Sequence, residues 1–276
     1  MTAKTVLLAL ALAAGLGFVP AAAEERGLYL GVQTSAGAVK PRYSKDVVNH
    51  CDDGICADIA NELRNRAFTS SDSKNGGAGG AGVFAGYRLP LGGGFFVSGD
   101  IEAMLNFGGA SGQLPGGSDP AVESGGRNRL GEAWPDRWSF RNKAAYGVTV
   151  KFGGSPAVFP NTVIYLLGGA RLTKTVFGID YSGCVEEAAG QATAECDNPS
   201  AAASGSFKYG KPLRSWMAGA GAERQIRPGL GVRLEARYAG YEKRKKSEFE
   251  DSAVSDVFNR LTGSGLEFAL GLVWYP

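Results

Sequence analysis

This chain has one histidine, three methionines and four cysteines in 276 residues, and after residue 23 no stretch runs to 18 uninterrupted apolar residues. The missing run excludes a helical membrane span, which needs about 20 consecutive apolar residues. A single histidine, His50, and the absence of two tight C-x-x-C pairs argue against a zinc site. Formal net charge is only +2, from 29 basic and 27 acidic residues, so bulk electrostatics select no polyanionic partner and nucleic acid is not expected. "NGGAGGAG" (75–82) lacks the Gly-Lys-Ser/Thr ending that makes a glycine-rich loop a phosphate cradle. "CDDGIC" (51–56) offers two carboxylates where calcium takes six to eight oxygens. No metal and no cofactor is expected.

What is present begins with Lys4 before "VLLALALAAGLGFV" and Pro20 before "AAA". This reads as a cleaved secretory signal peptide over 1–23, leaving one domain over 24–276. In an exported chain cysteines favour disulfides. Four cysteines allow three connectivities, and the sequence-local one, Cys51–Cys56 and Cys184–Cys196, is the expected pairing. Apolar residues at Ile55, Ile59, Ala60 and Leu63 suggest a short amphipathic helix over 55–67.

Glycine (42 residues) and aromatics (10%) are abundant, and the dominant periodicity is two. Eight segments carry it: 27–36, 80–89, 95–107, 140–152, 162–178, 213–226, 230–242 and 264–275. Connections alternate between short Gly/Pro turns (90–94, 153–161, 227–229) and long links (37–79, 108–139, 179–212, 243–263). That alternation predicts an all-β chain: an eight-stranded antiparallel up-and-down transmembrane β-barrel with tight turns on one rim and four long surface loops on the other.

In "GVRLEARYAGYEK" (231–243), Val232, Leu234, Ala236 and Tyr238 share one face and Arg233, Glu235 and Arg237 the other. In a membrane barrel the apolar face meets lipid and the charges turn inward. Ten interior charges are expected: Arg88, Lys143, Arg171, Arg233 and Arg237 against Asp100, Glu102, Glu223, Glu235 and Glu267. Five of each sign suits a confined interior, where an unmatched charge is penalised by desolvation. Eight strands enclose a lumen that side chains can fill, so a closed cylinder is expected.

"GLYLGV" (27–32), "GAGVFAGYRLPLGGGFFVSGDIEAML" (80–105), "AGAGAERQIRPGLGVRLEARYAGYE" (218–242) and the aromatic last strand together resemble the small eight-stranded outer-membrane barrels of the opacity-protein and OmpA-transmembrane-domain type. The resemblance implies a place in the bacterial outer membrane and insertion by the barrel-assembly machinery, whose recognised aromatic end is here displaced by Pro276. It also implies a structural or surface-interaction role, such as membrane integrity, adhesion or antigen display, with host or surface ligands met through the loops. We expect no enzymatic activity. The alternatives are a lipid A-modifying hydrolase using His50 as general base, or a narrow channel. "EKRKK" places Lys243, Arg244, Lys245 and Lys246 at the loop rim, where we expect contact with lipopolysaccharide phosphates.

Overall fold

The computed structural model describes residues 27–49, 67–114, 127–129, 136–159, 161–188, 191–192, 203–210, 212–249 and 255–276. These form strands β1 (Gly27–Asn49), β2 (Ala67–Ser73), β3 (Gly76–Gly92), β4 (Phe95–Gln113), β5 (Arg127–Arg129), β6 (Arg137–Gly154), β7 (Thr162–Ala188), β8 (Gln191–Ala192), β9 (Ala203–Tyr209), β10 (Pro212–Arg227), β11 (Leu230–Phe249) and β12 (Ser255–Trp274). Eight of them hydrogen-bond in the order β10-β11-β12-β1-β3-β4-β6-β7, and a further β10–β7 pairing closes the ring. First and last strands pair antiparallel from Leu30↔Trp274 to Asn49↔Ser255. Closure leaves no free edge in the ring, which is what lets a sheet stand in lipid.

One rim is built from tight turns. Gly92, Gly93 and Gly94 all take positive φ (85°, 61° and 79°), a conformation that side chains with a Cβ resist, between β3 and β4. Gly229 (φ 74°) follows Pro228 between β10 and β11, and its carbonyl accepts the Tyr275 backbone N–H at 2.9 Å. At the other rim the strands run well past the segments marked by periodicity: β1 continues to Asn49, β7 to Ala188 and β11 to Phe249, and β12 starts at Ser255. Much of what the sequence offers as loop is therefore a wall that continues beyond the apolar belt.

That belt is the outward face nearer the turns. Val32, Ile101, Leu105, Val150, Leu234 and Leu270 are each more than half exposed, Leu105 at 73%. On β12 it runs from Leu266 to Trp274, nine residues, matching the 9–11 that a tilted strand needs to cross a bilayer. Aromatic rings sit at its limits, with Tyr87, Phe152 and Trp274 toward the turns and Phe107, Tyr146, Trp216 and Tyr238 toward the loops. Further along, the alternation inverts. On β1 the outward side chains change from Leu30, Val32 and Ala38 to Lys40 and Arg42, while the inward ones change from Gln33 and Ser35 to Val39 and Tyr43.

Candidate functional site

The interior at belt level is a ladder of ion pairs. Arg233, 2% exposed, reaches Asp100 at 2.9 Å and Glu223 at 3.2 Å. Lys151 lies between Asp100 (2.6 Å) and Glu235 (2.7 Å). Arg237 pairs with Glu235 and, at 2.7 Å, with Glu102. Arg171 joins Glu102 (2.7 Å) to Glu267 (3.0 Å), and Arg88 holds Glu223 at 2.9 Å. Tyrosines complete the carboxylate shells: Tyr29 donates to Asp100, Tyr275 to Glu223, and Tyr165 to Glu235 at 2.7 Å. Each acid sits among several donors, the condition under which a buried charge is tolerated.

Glycines make room for these long side chains. A Cβ on Gly86 would meet the Tyr29 hydroxyl at 2.5 Å and the Asp100 carboxylate at 2.6 Å, and one on Gly221 would meet the Tyr165 ring at 2.7 Å.

Nine of the ten charges expected inside line this lumen: Arg88, Asp100, Glu102, Arg171, Glu223, Arg233, Glu235, Arg237 and Glu267. Lys143 does not. A β-bulge between Asn142 and Ala144 in the pairing of β6 with β7 adds a residue, so Asn142 turns inward and Lys143 is exposed on the outer face. The fifth interior base is Lys151, 1% exposed, near the turn end of β6. Lys151 shares the parity of Gly147 and Thr149, so unbroken alternation from the turn end of β6 was the signal that could have found it. With this exchange the lumen holds five bases and five acids.

Beyond the ladder the interior becomes apolar. Val39, Tyr43, Leu114, Trp138, Phe140, Phe177, Ile179, Leu213 and Leu261 form one buried cluster across the barrel. Above it Asp136 accepts hydrogen bonds from Tyr43 and Lys45, each at 3.0 Å, and Asp46 pairs with Arg260 at 2.6 Å. Among the described residues no group of three or more His, Cys, Asp or Glu could hold a metal. His50, Cys51, Cys56 and Cys196 lie outside the described residues, as does most of the predicted helix over 55–67. Cys184 is described only as backbone in β7.

The outer face changes character where the belt ends. Lys40 and Arg42 on β1, Arg141 and Lys143 on β6, Lys174 on β7, Arg214 on β10 and Lys243 on β11 are exposed just past it. At the turn rim the described outward bases are Arg224 and Arg227. The run 243–246 does not act as one surface. A register shift between Tyr241 and Arg244 separates Lys243 from Arg244, Lys245 and Lys246, which line a cavity instead.

The sequence profile of the outer membrane protein beta-barrel domain matches residues 7–274. The chain belongs to that family. This outer-membrane barrel therefore resides in the bacterial outer membrane, with its belt in the bilayer. Solved structures to which it is similar include Ail, the attachment invasion locus protein of Yersinia pestis, at 16% identity over 86% of this chain and 97% of that one, with a TM-score of 0.26. The outer-membrane protease OmpT of Escherichia coli matches at 11% identity over 89% and 96%, TM-score 0.38. Neisserial surface protein A matches at 12% over 87% and 95%, TM-score 0.32. Among curated proteins no sequence matches.

Proposed function

We propose that this outer-membrane barrel is a closed, non-enzymatic protein that stiffens the outer leaflet by gripping lipopolysaccharide and presents its loop-side wall to surface partners for adhesion or antigen display. The observation that carries the reading is the double seal of the lumen. At belt level five bases and five acids are cross-paired side chain to side chain, and beyond them a buried apolar cluster spans the bore. An ion crossing such a lumen would have to part several buried pairs, each of which leaves an uncompensated charge when broken. Planar-bilayer recording of purified protein is expected to show no stable conductance, and a reproducible open channel would refute the closed reading.

The lipopolysaccharide grip rests on the exposed bases just past the belt. They come from five different strands and face the level of outer-leaflet phosphates, where each Lys or Arg near an anionic surface adds about 1 kcal/mol before screening. Their long stems can lie on the belt while the charged ends reach the headgroups. Lipopolysaccharide retained by the protein should fall as salt rises, and should fall at lower salt when Lys40, Arg141, Lys143, Lys174 and Lys243 are all replaced by Gln. Identical retention at every salt concentration would overturn the grip.

A further inference from the structure

Between the ion-paired ladder and the apolar cluster lies a level of the bore that side chains do not fill. On four neighbouring strands the inward residues there are small: Gly37 on β1 is paired with Ala78 on β3, and Ala239 on β11 with Gly265 on β12. They leave a chamber with Arg171, Arg237 and Glu267 on its ladder side and Val39 and Tyr241 on the side of the apolar cluster. Its volume is about 40 Å³, far below the roughly 300 Å³ at which small-molecule pockets begin. A water molecule needs about 10–15 Å³ of such space, so about three fit.

The facing wall supplies polar atoms that no group on the chain satisfies. Asn142 on β6 is 7% exposed and Thr173 on β7 is 2% exposed, and both line the chamber. Asn142 Oδ1 and Thr173 Oγ1 are buried without a hydrogen-bond partner. Leaving such atoms unbonded is destabilising, and in folded proteins they bond either to the chain or to ordered water. The β-bulge between Asn142 and Ala144 is what turns that amide inward. Glu267 adds a third acceptor: its side chain is 23% exposed, whereas those of Glu102, Arg171 and Arg237 are at most 9% exposed.

Charge decides the nature of the guest. Five bases already balance five acids in the lumen, so an added ion of either sign would stand unmatched. An anion finds no ready donor, because every guanidinium nitrogen of Arg171 and Arg237 is engaged by Glu102, Glu235, Glu267 or Gln33. A cation at Glu267 would face both guanidiniums, which lie 3.0 and 3.7 Å from that carboxylate.

We infer that the chamber is a binding site for water, a cluster of about three molecules held by Asn142 Oδ1, the Thr173 hydroxyl and the Glu267 carboxylate. Water meets the demands of size, neutrality and hydrogen bonding together. The cluster hydrates the last carboxylate of the ladder before the bore turns apolar. It is independent of the lipopolysaccharide grip, which uses the outer face.

Two measurements test the site. Crystals of the whole protein, soaked in turn with rubidium and with bromide, are expected to show discrete solvent density within hydrogen-bond distance of Asn142 Oδ1 and Thr173 Oγ1. Neither ion should give an anomalous peak in the chamber. The second measurement reads the sign of a stability change on Thr173→Val, by urea unfolding of the barrel in lipid vesicles. If the hydroxyl is dry, this substitution removes an unbonded polar group and stabilises the barrel. If it binds water, the substitution strands that water and shifts the equilibrium about fivefold toward the unfolded state, which is the expected result. Absence of density in the chamber, a rubidium or bromide peak there, or a Thr173→Val barrel at least as stable as the parent would each overturn the site. The crystals use the unmodified protein, so they decide the matter even where the variant does not refold.

Discussion

The exchange of Lys143 for Lys151 can be put to a direct test by replacing each with Met. Lys143 is exposed on the outer face of β6 past the belt, so its loss should change stability within about 0.5 kcal/mol. Lys151 bridges Asp100 and Glu235 at 2.6 and 2.7 Å in a site from which water is excluded. Removing one member of a buried ion pair destabilises by about 3–5 kcal/mol, because a charge is left without its partner. Compensation places the value toward the lower end: Asp100 keeps Arg233 at 2.9 Å and the Tyr29 hydroxyl, and Glu235 keeps Arg237 and Tyr165. Adding Glu235→Gln to Lys151→Met returns the lumen to charge balance, so the double variant should lose less than the sum of the single losses by about 1–3 kcal/mol. Urea unfolding of the refolded barrel in lipid vesicles, followed by tryptophan fluorescence and by the gel shift on boiling, reads these differences. Equal stabilities for Lys143→Met and Lys151→Met, or strictly additive losses in the double variant, would refute the ladder as drawn.

Gly221→Ala places a Cβ against the Tyr165 ring at 2.7 Å and should destabilise by about 1–3 kcal/mol through overpacking, measured by the same unfolding; a gain in stability would contradict the fit of glycine to ring. Mass mapping should find Cys51–Cys56 and Cys184–Cys196, with strand content by circular dichroism unchanged on reduction, because each link closes only a short stretch of sequence; a Cys51–Cys184 link would refute the local pairing. His50→Ala should leave the lipid A profile of expressing cells unchanged, and a shift in acylation pattern would revive the hydrolase alternative.

The strands that cross the belt were legible because lipid imposes a strict rule on one face only. Each outward position there must be apolar, while inward positions may be Gly, Ser, Arg or Glu, so period two survives in β4, β11 and β12 and carries the inward charges with it. Two features escaped that reading for different physical reasons. Lys143 escaped because a bulge is a property of the pairing between β6 and β7, and nothing in "FRNKAAYG" marks the extra residue, whereas the inward place of Lys151 follows from unbroken alternation alone. The length of β1 and the late start of the loops escaped because the alternation does not stop at Gly37 but reverses sense, and a reversed pattern reads as a broken one.

The reversal has its own physical logic, and it locates the membrane surface on the barrel. Within the bilayer the cheapest outward side chain is apolar, and the interior then has to carry whatever polarity holds the wall together, here the ion-paired ladder. Past the bilayer both conditions change at once: the outward face meets water and accepts Lys40, Arg42, Arg141 and Lys174, and the interior can hold an ordinary apolar core. On β1 the sense changes between Ala38 and Lys40 outside and between Ser35 and Val39 inside. On β7 the outward face passes from Leu172 to Lys174, while the inward face passes from Arg171 through Thr173 and Thr175 to Phe177. On β6 the inward Asn142 divides Ala145 and Thr149 from Phe140 and Trp138. Three strands therefore invert near one level, where the exposed bases begin. An ionic core under lipid and an apolar core under water are thus two solutions of one constraint in a single continuous wall.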